Sequence, residues 1–367
     1  MKPGFDGRVG LQQRVLPHYR QAFFDRLAQA CSGGLSVFAG KPRPKEAILP
    51  TEHLDQAEYW PARNTHLLDG AFYLCSQPGI VEWLEEIQPD ALILEANPRY
   101  LSNRKAIRWM KRRGKPVIGW GLGAAPPAGL LAPIRILARR SYYQHFDAMI
   151  AYSSRGAEQF AAYGVPRQAT FVALNSVAPA PPAPPQRQPV ENRPVRLLFV
   201  GRLQHRKRVD LLLRACQSLK HPVELRIVGD GPAREIWEQL ANRVFPTAEF
   251  TGAQTGQDLQ KHYHWADLFV LPGTGGLAVQ EAMAHGLPVV VAQGDGTQRD
   301  LVTNDTGWLV QPGDLSSLLS TLERALAHPT RLPEMGRAAH AFVVQHANID
   351  AMTRVFVQAL EFASEEA

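Results

Sequence analysis

Short apolar runs recur along the chain, separated by stretches whose apolar residues fall three and four apart. The first pattern marks buried strands, the second marks helices that cover a sheet. In the first half the runs predict strands at residues 7–15, 35–39, 91–95, 116–120 and 148–152. The amphipathic stretches predict helices at 21–30, 80–87, 103–113, 132–145 and 154–163. The second half repeats the alternation, with strands at 195–200, 223–228, 248–250, 266–271 and 288–292. Helices are expected at 209–219 and 233–243, and a short one is expected to start near Leu277. Strands alternating with helices imply parallel sheets with right-handed crossovers. Ligands on such sheets bind beyond the carboxyl ends of the strands.

Between the halves lies VAPAPPAPPQRQPVENRPV, proline-rich and without a period. It reads as an extended linker. The length of 367 residues also favours two domains over one core. The expected organisation is a domain over 1–176, a linker over 177–194, a second domain over 195–345 and a terminal segment over 346–367. The fold class is α/β, with two Rossmann-like domains whose parallel sheets face a central cleft.

Composition adds limits. No apolar run is long enough to span a bilayer, and the N-terminus has no apolar signal core, so a cytoplasmic protein is expected. Three isolated cysteines show neither metal spacing nor a disulfide framework. A net charge of +6 suits phosphates or an anionic membrane face and does not choose between them. No zinc pattern or aromatic-basic platform points to nucleic acid. No acidic cluster suggests a metal, and no cofactor is expected beyond a donor substrate.

The densest candidate chemistry is LPGTGGLAVQEAMAHGLPVV, residues 271–290. A strand, a glycine turn and a helix start form the geometry that binds phosphate: free amides point at the ligand and the helix dipole favours negative charge. Gly273, Thr274, Gly275, Gly276 and Leu277 are the candidate residues. Glu281, on the same helix face as Leu277, can accept hydrogen bonds from sugar hydroxyls. A second loop, GRLQHRKR at 201–208, follows the first strand of the second half. Gly201 lets the chain turn there, and Arg202 and Lys207 offer a planar fork and a point charge to a diphosphate. A solvated basic loop is the competing reading, and either way Lys207 is expected to be exposed. A third turn, IVGDGP, places Gly229 at the end of the next strand, with Asp230 expected to cap the following helix.

The order VGRLxxxK, IVGDGP, FTG and GLxxxEAMAxGLPVV resembles the retaining glycosyltransferases of family four, over residues 195–345. That resemblance implies the GT-B fold, a nucleoside diphosphate sugar donor and no metal. It implies that Arg202 and Lys207 hold the diphosphate, that the Gly276 and Leu277 amides hold phosphate, and that Glu281 bonds the ribose. Arg202, Lys207 and Glu281 are thereby the catalytic candidates. The tail from about 339 to 363 resembles the helix that crosses back to the first domain. One departure stands out. The family carries two glutamates eight positions apart; the second matches Glu281, but the first falls at Gly273. Backbone amides or the Thr274 hydroxyl would then meet the donor sugar.

The first half offers candidates without a motif. His18, Tyr19 and Arg20 follow the first strand, and Glu95 and Asn97 end the strand at 91–95. They are the acceptor-side candidates, with a capped loop as the alternative for Glu95. GWGLG at 119–123 should line the same region. The basic helix at 104–115, with Ile107, Trp109 and Met110 interleaved, is a candidate for peripheral membrane contact. The function expected is a retaining hexosyltransferase, with UDP favoured over GDP, acting on a glycan or lipid-linked saccharide in bacterial envelope or exopolysaccharide synthesis. The alternatives are a sugar-nucleotide-binding scaffold without turnover and a sugar-nucleotide epimerase on the same fold.

Overall fold

A computed structural model describes residues 4–46, 48–70, 73–181, 183, 186–187, 189–275, 277–294 and 296–366. The chain divides into two compact units, Met1–Pro179 with Ile349–Ala367, and Ala180–Asn348.

The first unit is built on seven strands: β1 (Val9–Val15), β2 (Leu35–Gly40), β3 (Glu58–Pro61), β6 (Ala91–Glu95), β7 (Val117–Gly121), β8 (Ala148–Ala151) and β9 (Thr170–Val172). Their order is β3-β2-β1-β6-β7-β8-β9, and every pairing is parallel. Residues of β1, β6, β7 and β8 are almost all buried, as strands covered on both faces must be. A separate two-stranded antiparallel ribbon pairs β4 (Thr65–Leu67) with β5 (Leu74–Ser76). Strands β3 and β9 are half-exposed edges with weak apolar patterns, which is why the hydrophobic runs do not reveal them.

One face of this sheet is covered by α1 (Gln21–Gln29) and by the last helix, α13 (Ile349–Glu365). Ile349, Met352, Phe356, Ala359, Leu360 and Ala363 recur at three- and four-residue steps and are all buried. Phe356 packs edge-on to Phe23 at 4.9 Å and to Trp120 at 5.0 Å between ring centroids. The tail thus belongs to the first unit's core. The single helix expected over 339–363 is two helices: α12 (Leu332–His346) stays with the second unit, and the chain breaks at Ala347 and Asn348. Asn348 is buried and donates to the carbonyls of Val343 (2.8 Å) and Val344 (2.7 Å), satisfying the freed end of α12.

The second unit has six parallel strands: β10 (Val195–Val200), β11 (Val223–Val228), β12 (Glu249–Gly252), β13 (Leu268–Leu271), β14 (Val289–Ala292) and β15 (Gly307–Val310). Their order is β12-β11-β10-β13-β14-β15. The direction of winding reverses between β10 and β13, so the carboxyl ends of these two strands form the switch point where ligands sit.

The proline-rich segment is less free than its composition predicts. Arg187 donates to the carbonyls of Tyr263 (2.8 Å), His285 (2.8 Å) and Ala266. Three peptide oxygens at loop ends need donors, and one guanidinium supplies them. Burial pushes its pKa down to about 10. The expected linker of 177–194 therefore joins the second unit from Ala180 onward.

Candidate active site

The switch point of the second sheet brings two loops together. Gly201 ends β10, and the loop runs on to Arg208. The glycine turn after β13 leads to α9 (Leu277–Ala284), which begins where the sequence places it. The turns are stitched by backbone and side chain: Thr274 N–H donates to the Arg206 carbonyl at 3.0 Å, and Arg206 Nη1 donates to the Thr274 hydroxyl at 3.2 Å.

Gly273 and Gly275 permit this contact. A Cβ at Gly273 would overlap the Arg206 carbonyl oxygen and the Lys207 backbone. A Cβ at Gly275 would strike the Lys207 ammonium. Lys207 is therefore a lodged residue, only 8% exposed. This corrects the expectation of an exposed lysine: a short helical turn at His205–Lys207 folds the side chain inward over Gly201 and Gly275. Its charge sits directly beneath the turn that precedes a helix N-terminus. Arg202 behaves in the opposite way. It is exposed, and among the described residues it has no hydrogen-bond or ion-pair partner, so its guanidinium is available to a ligand.

Gly229 holds the neighbouring turn. Its N–H donates to the Gly252 carbonyl at 2.8 Å, and at φ 141° it lies against the Gly201 carbonyl, where no side chain fits. Asp230 is taken up locally, accepting from the Gly231 N–H (2.6 Å) and from Arg234 (3.1 Å). Glu281 is exposed on α9. Partial desolvation raises its pKa, and the Tyr263 hydroxyl opposes the shift. Gly276 lies outside the described residues.

Gln298 is a site residue that sequence reasoning missed. It is fully buried, donates to the Gly275 carbonyl (2.8 Å) and accepts from the Gly294 N–H (3.0 Å). It ties the glycine turn to the loop after β14. A glutamine in a short polar stretch carries no spacing signal, so only the fold exposes this role.

In the first unit a cavity of about 470 Å³ opens at the carboxyl ends of β6, β7 and β8. That size lies within the range of roughly 300–1,000 Å³ usual for small-molecule sites. Its walls include Glu95, Asn97, Trp120, Gly121, Arg139 and Tyr152. The expected contribution of the 119–123 turn holds from Trp120 onward, and Glu95 and Asn97 meet there. Glu95 is half-buried and accepts from the Arg14 N–H at 2.6 Å. Desolvation raises its pKa against the pull of that bond and of Arg14 and Arg20. Asn97 instead shapes its own turn, accepting from the Arg99 N–H at 3.1 Å.

His18, Tyr19 and Arg20 do not line this cavity. His18 and Tyr19 are exposed, whereas Arg20 is buried behind the wall. Its guanidinium lies 4.5 Å from the Trp120 ring centroid and donates to the Tyr152 hydroxyl at 3.1 Å. Arg20 thus supports two wall residues rather than facing a ligand itself.

Among the described residues no group of three or more His, Cys, Asp or Glu side chains could hold a metal ion. No helix of the described residues is long and apolar enough to cross a membrane.

Comparison with known proteins finds likeness in the second unit and in the fold as a whole. Residues 194–328 match the family described as Glycosyl transferases group 1. The fold is GT-B. It is shared with the lipopolysaccharide outer core galactosyltransferase WaaB in its apo form (TM-score 0.71, 18% identity, 96% of this chain and 99% of that one). It is shared equally with Anabaena Alr3699/HepE in complex with UDP (TM-score 0.70, 15% identity, 96% and 99%). Among curated relatives, the sulfoquinovosyl transferase SQD2 of Arabidopsis thaliana is 36% identical over 151 residues, 39% of this chain and 29% of its own. A GDP-mannose-dependent alpha-mannosyltransferase of Mycobacterium tuberculosis (strain CDC 1551 / Oshkosh) is 34% identical over 209 residues, 53% of each chain. The chain thus spans about half the length, or less, of these curated relatives. The group 1 segment contains Arg202, Lys207, Gly273 and Glu281, so the departure at Gly273 falls inside the matched region.

Proposed function

We propose that this protein is a retaining glycosyltransferase that moves a hexose from a nucleoside diphosphate sugar, with uridine as the base, to a hydroxyl of a glycan or lipid-linked acceptor in the cytoplasm. The observation that carries the reading is the lodged Lys207 ammonium under the Gly275 turn, with Arg202 on the same loop unpartnered among the described residues, at the switch point of a GT-B sheet.

As the bond from the anomeric carbon to the diphosphate breaks, negative charge grows on the leaving oxygen. Lys207 and the amides at the start of α9 stabilise that charge without reorganising, because their positions are fixed beforehand, and the exposed Arg202 swings onto the diphosphate when it binds. The acceptor oxygen forms its bond on the same face of the sugar. Its proton passes to an oxygen of the departing phosphate, so no separate base and no metal are needed. Glu281 accepts hydrogen bonds from the ribose. With no carboxylate at Gly273, the donor sugar meets amides and the Thr274 hydroxyl, which can still donate while accepting from Arg206. The absence of acid-base side chains in the 273–275 turn disfavours an epimerase.

The test is thermal stabilisation by UDP, GDP and their sugars. A ligand at a hundred times its Kd adds about 2.7 kcal/mol to the native state. One diphosphate should raise Tm in the wild type and fail to do so in Arg202→Ala and Glu281→Ala. Equal stabilisation of all three proteins would sink the site. Binding without transfer to any acceptor would favour the scaffold reading.

Glu95 is placed on the acceptor side of the same scheme. Its pKa is raised, so the folded state holds the protonated carboxyl more readily than the unfolded chain does. That contribution to stability is complete below the ordinary glutamate value of about 4.3, and it is lost as pH rises through the folded value. Glu95→Gln keeps an acceptor for the Arg14 N–H and removes the charge. It should raise Tm at neutral pH, leave UDP stabilisation unchanged and lower kcat/KM for acceptor about 10- to 100-fold, the loss expected when one hydrogen bond to a charged group, worth roughly 1.5–3 kcal/mol, is removed. Unchanged acceptor kinetics would remove Glu95 from the scheme.

A further inference from the structure

The helix expected to meet a membrane is not equipped to do so. In α3 (Asn103–Lys111) Ile107, Trp109 and Met110 are all buried in the first unit's core, leaving only its charged face outside. The apolar surface lies one helix further on. In α4 (Ala132–Tyr143) Tyr142 and Tyr143 anchor the C-terminal end in that same core, whereas the first two turns stand exposed. Leu130 is 101% exposed, Ile134 67% and Leu137 68%. Ile134 and Leu137, three apart, share one side of the helix, and Leu130 and Leu131 stand exposed in the turn that precedes it.

Soluble proteins expose single apolar residues commonly, but a continuous stripe of large ones marks a contact surface. The charged residues of α4 and of the adjoining groove are all arginines. Arg135 and Arg140 flank the stripe, and Arg99, Arg104, Arg135 and Arg139 line an adjoining groove of about 500 Å³. A symmetric contact with a second copy would set these arginines against one another. A bilayer with anionic headgroups satisfies both features: the leucines and isoleucine enter the acyl boundary, and the guanidiniums stay at headgroup level on their apolar stems.

We propose that the N-terminal half of α4 and the 130–131 turn form a docking surface for an anionic lipid bilayer. The proposal does not depend on the transfer reaction. It predicts that the first two turns of α4, and not α3, are what a membrane shields.

The test is co-sedimentation of the full chain with sucrose-loaded vesicles of phosphatidylcholine alone, or of phosphatidylcholine with phosphatidylglycerol. Wild type should bind the anionic vesicles at least about tenfold more tightly than the neutral ones, with affinity falling as salt rises. Ile134→Glu with Leu137→Glu should weaken that binding at least about tenfold, with circular dichroism and Tm unchanged because both side chains are exposed. Arg135→Gln with Arg140→Gln should lose the anionic preference alone. Three results would each overturn the proposal. The first is wild type remaining in the supernatant with both vesicles. The second is undiminished binding by the double glutamate variant. The third is a concentration-dependent dimer that the glutamate variant dissolves while vesicles make no difference, which would give the stripe to a second copy.

Discussion

Replacing Lys207 with methionine is expected to lower kcat by about 10²- to 10³-fold, the loss typical of removing one fixed charge-stabilising donor. Methionine is the informative choice because Lys207 is buried. It fills the space over Gly201 and Gly275 with an unbranched side chain, so the turn stays packed while the charge disappears. Alanine would leave a cavity and mix a folding defect with a chemical one. The fall should appear in kcat with a smaller change in KM, since the ammonium acts most strongly where charge has developed on the leaving group. Tm of the free protein, measured alongside, separates the loss of the charge from a loss of fold. Arginine would not rescue activity: its fork is larger, and the ammonium already touches the Gly275 backbone. Methionine with wild-type turnover would remove Lys207 from the mechanism.

Restoring a side chain at Gly273 is expected to damage the site rather than repair it. The resemblance to family-four glycosyltransferases would put a glutamate there, so Gly273→Glu looks like a return to type. In this fold the Cβ itself has no room, because the Arg206 carbonyl and the Lys207 backbone occupy its position. Even Gly273→Ala should cost about 1–3 kcal/mol, the range for forcing an extra carbon into a packed region. The strain would part Thr274 from the Arg206 carbonyl and shift Lys207 with it. Stabilisation by nucleoside diphosphate should therefore fall in both variants, measured by the ligand-induced change in Tm. A Gly273→Glu protein with wild-type stability and faster turnover would show that the missing carboxylate, not the repacked turn, defines this protein.

The 201–208 loop occupies the space that a side chain at 273 would need. The turn gains hydrogen bonds between Arg206 and Thr274 and a second tie through Gln298.

The sequence determined most of the strand and helix order by itself. Strands such as β6 and β14 are buried almost throughout, and that demands apolar runs that are visible without a structure. It also determined the glycine turn and the start of α9, because backbone that approaches other backbone leaves a legible gap in the side chains. Edge strands β3 and β9 escaped notice, since a half-exposed strand needs no apolar run. What only the tertiary structure decided is where long polar side chains go. Lys207 was expected in solvent and is buried; Arg20 was expected to face a ligand and instead backs Trp120; Arg187 fastens a segment that composition marks as loose. Each outcome turns on which carbonyls, rings and glycine surfaces arrive from distant parts of the chain. Ile107, Trp109 and Met110 differ from Leu130, Ile134 and Leu137 for the same reason. Both sets are apolar residues on arginine-rich helices, and only the packing of the first unit covers one set and leaves the other exposed.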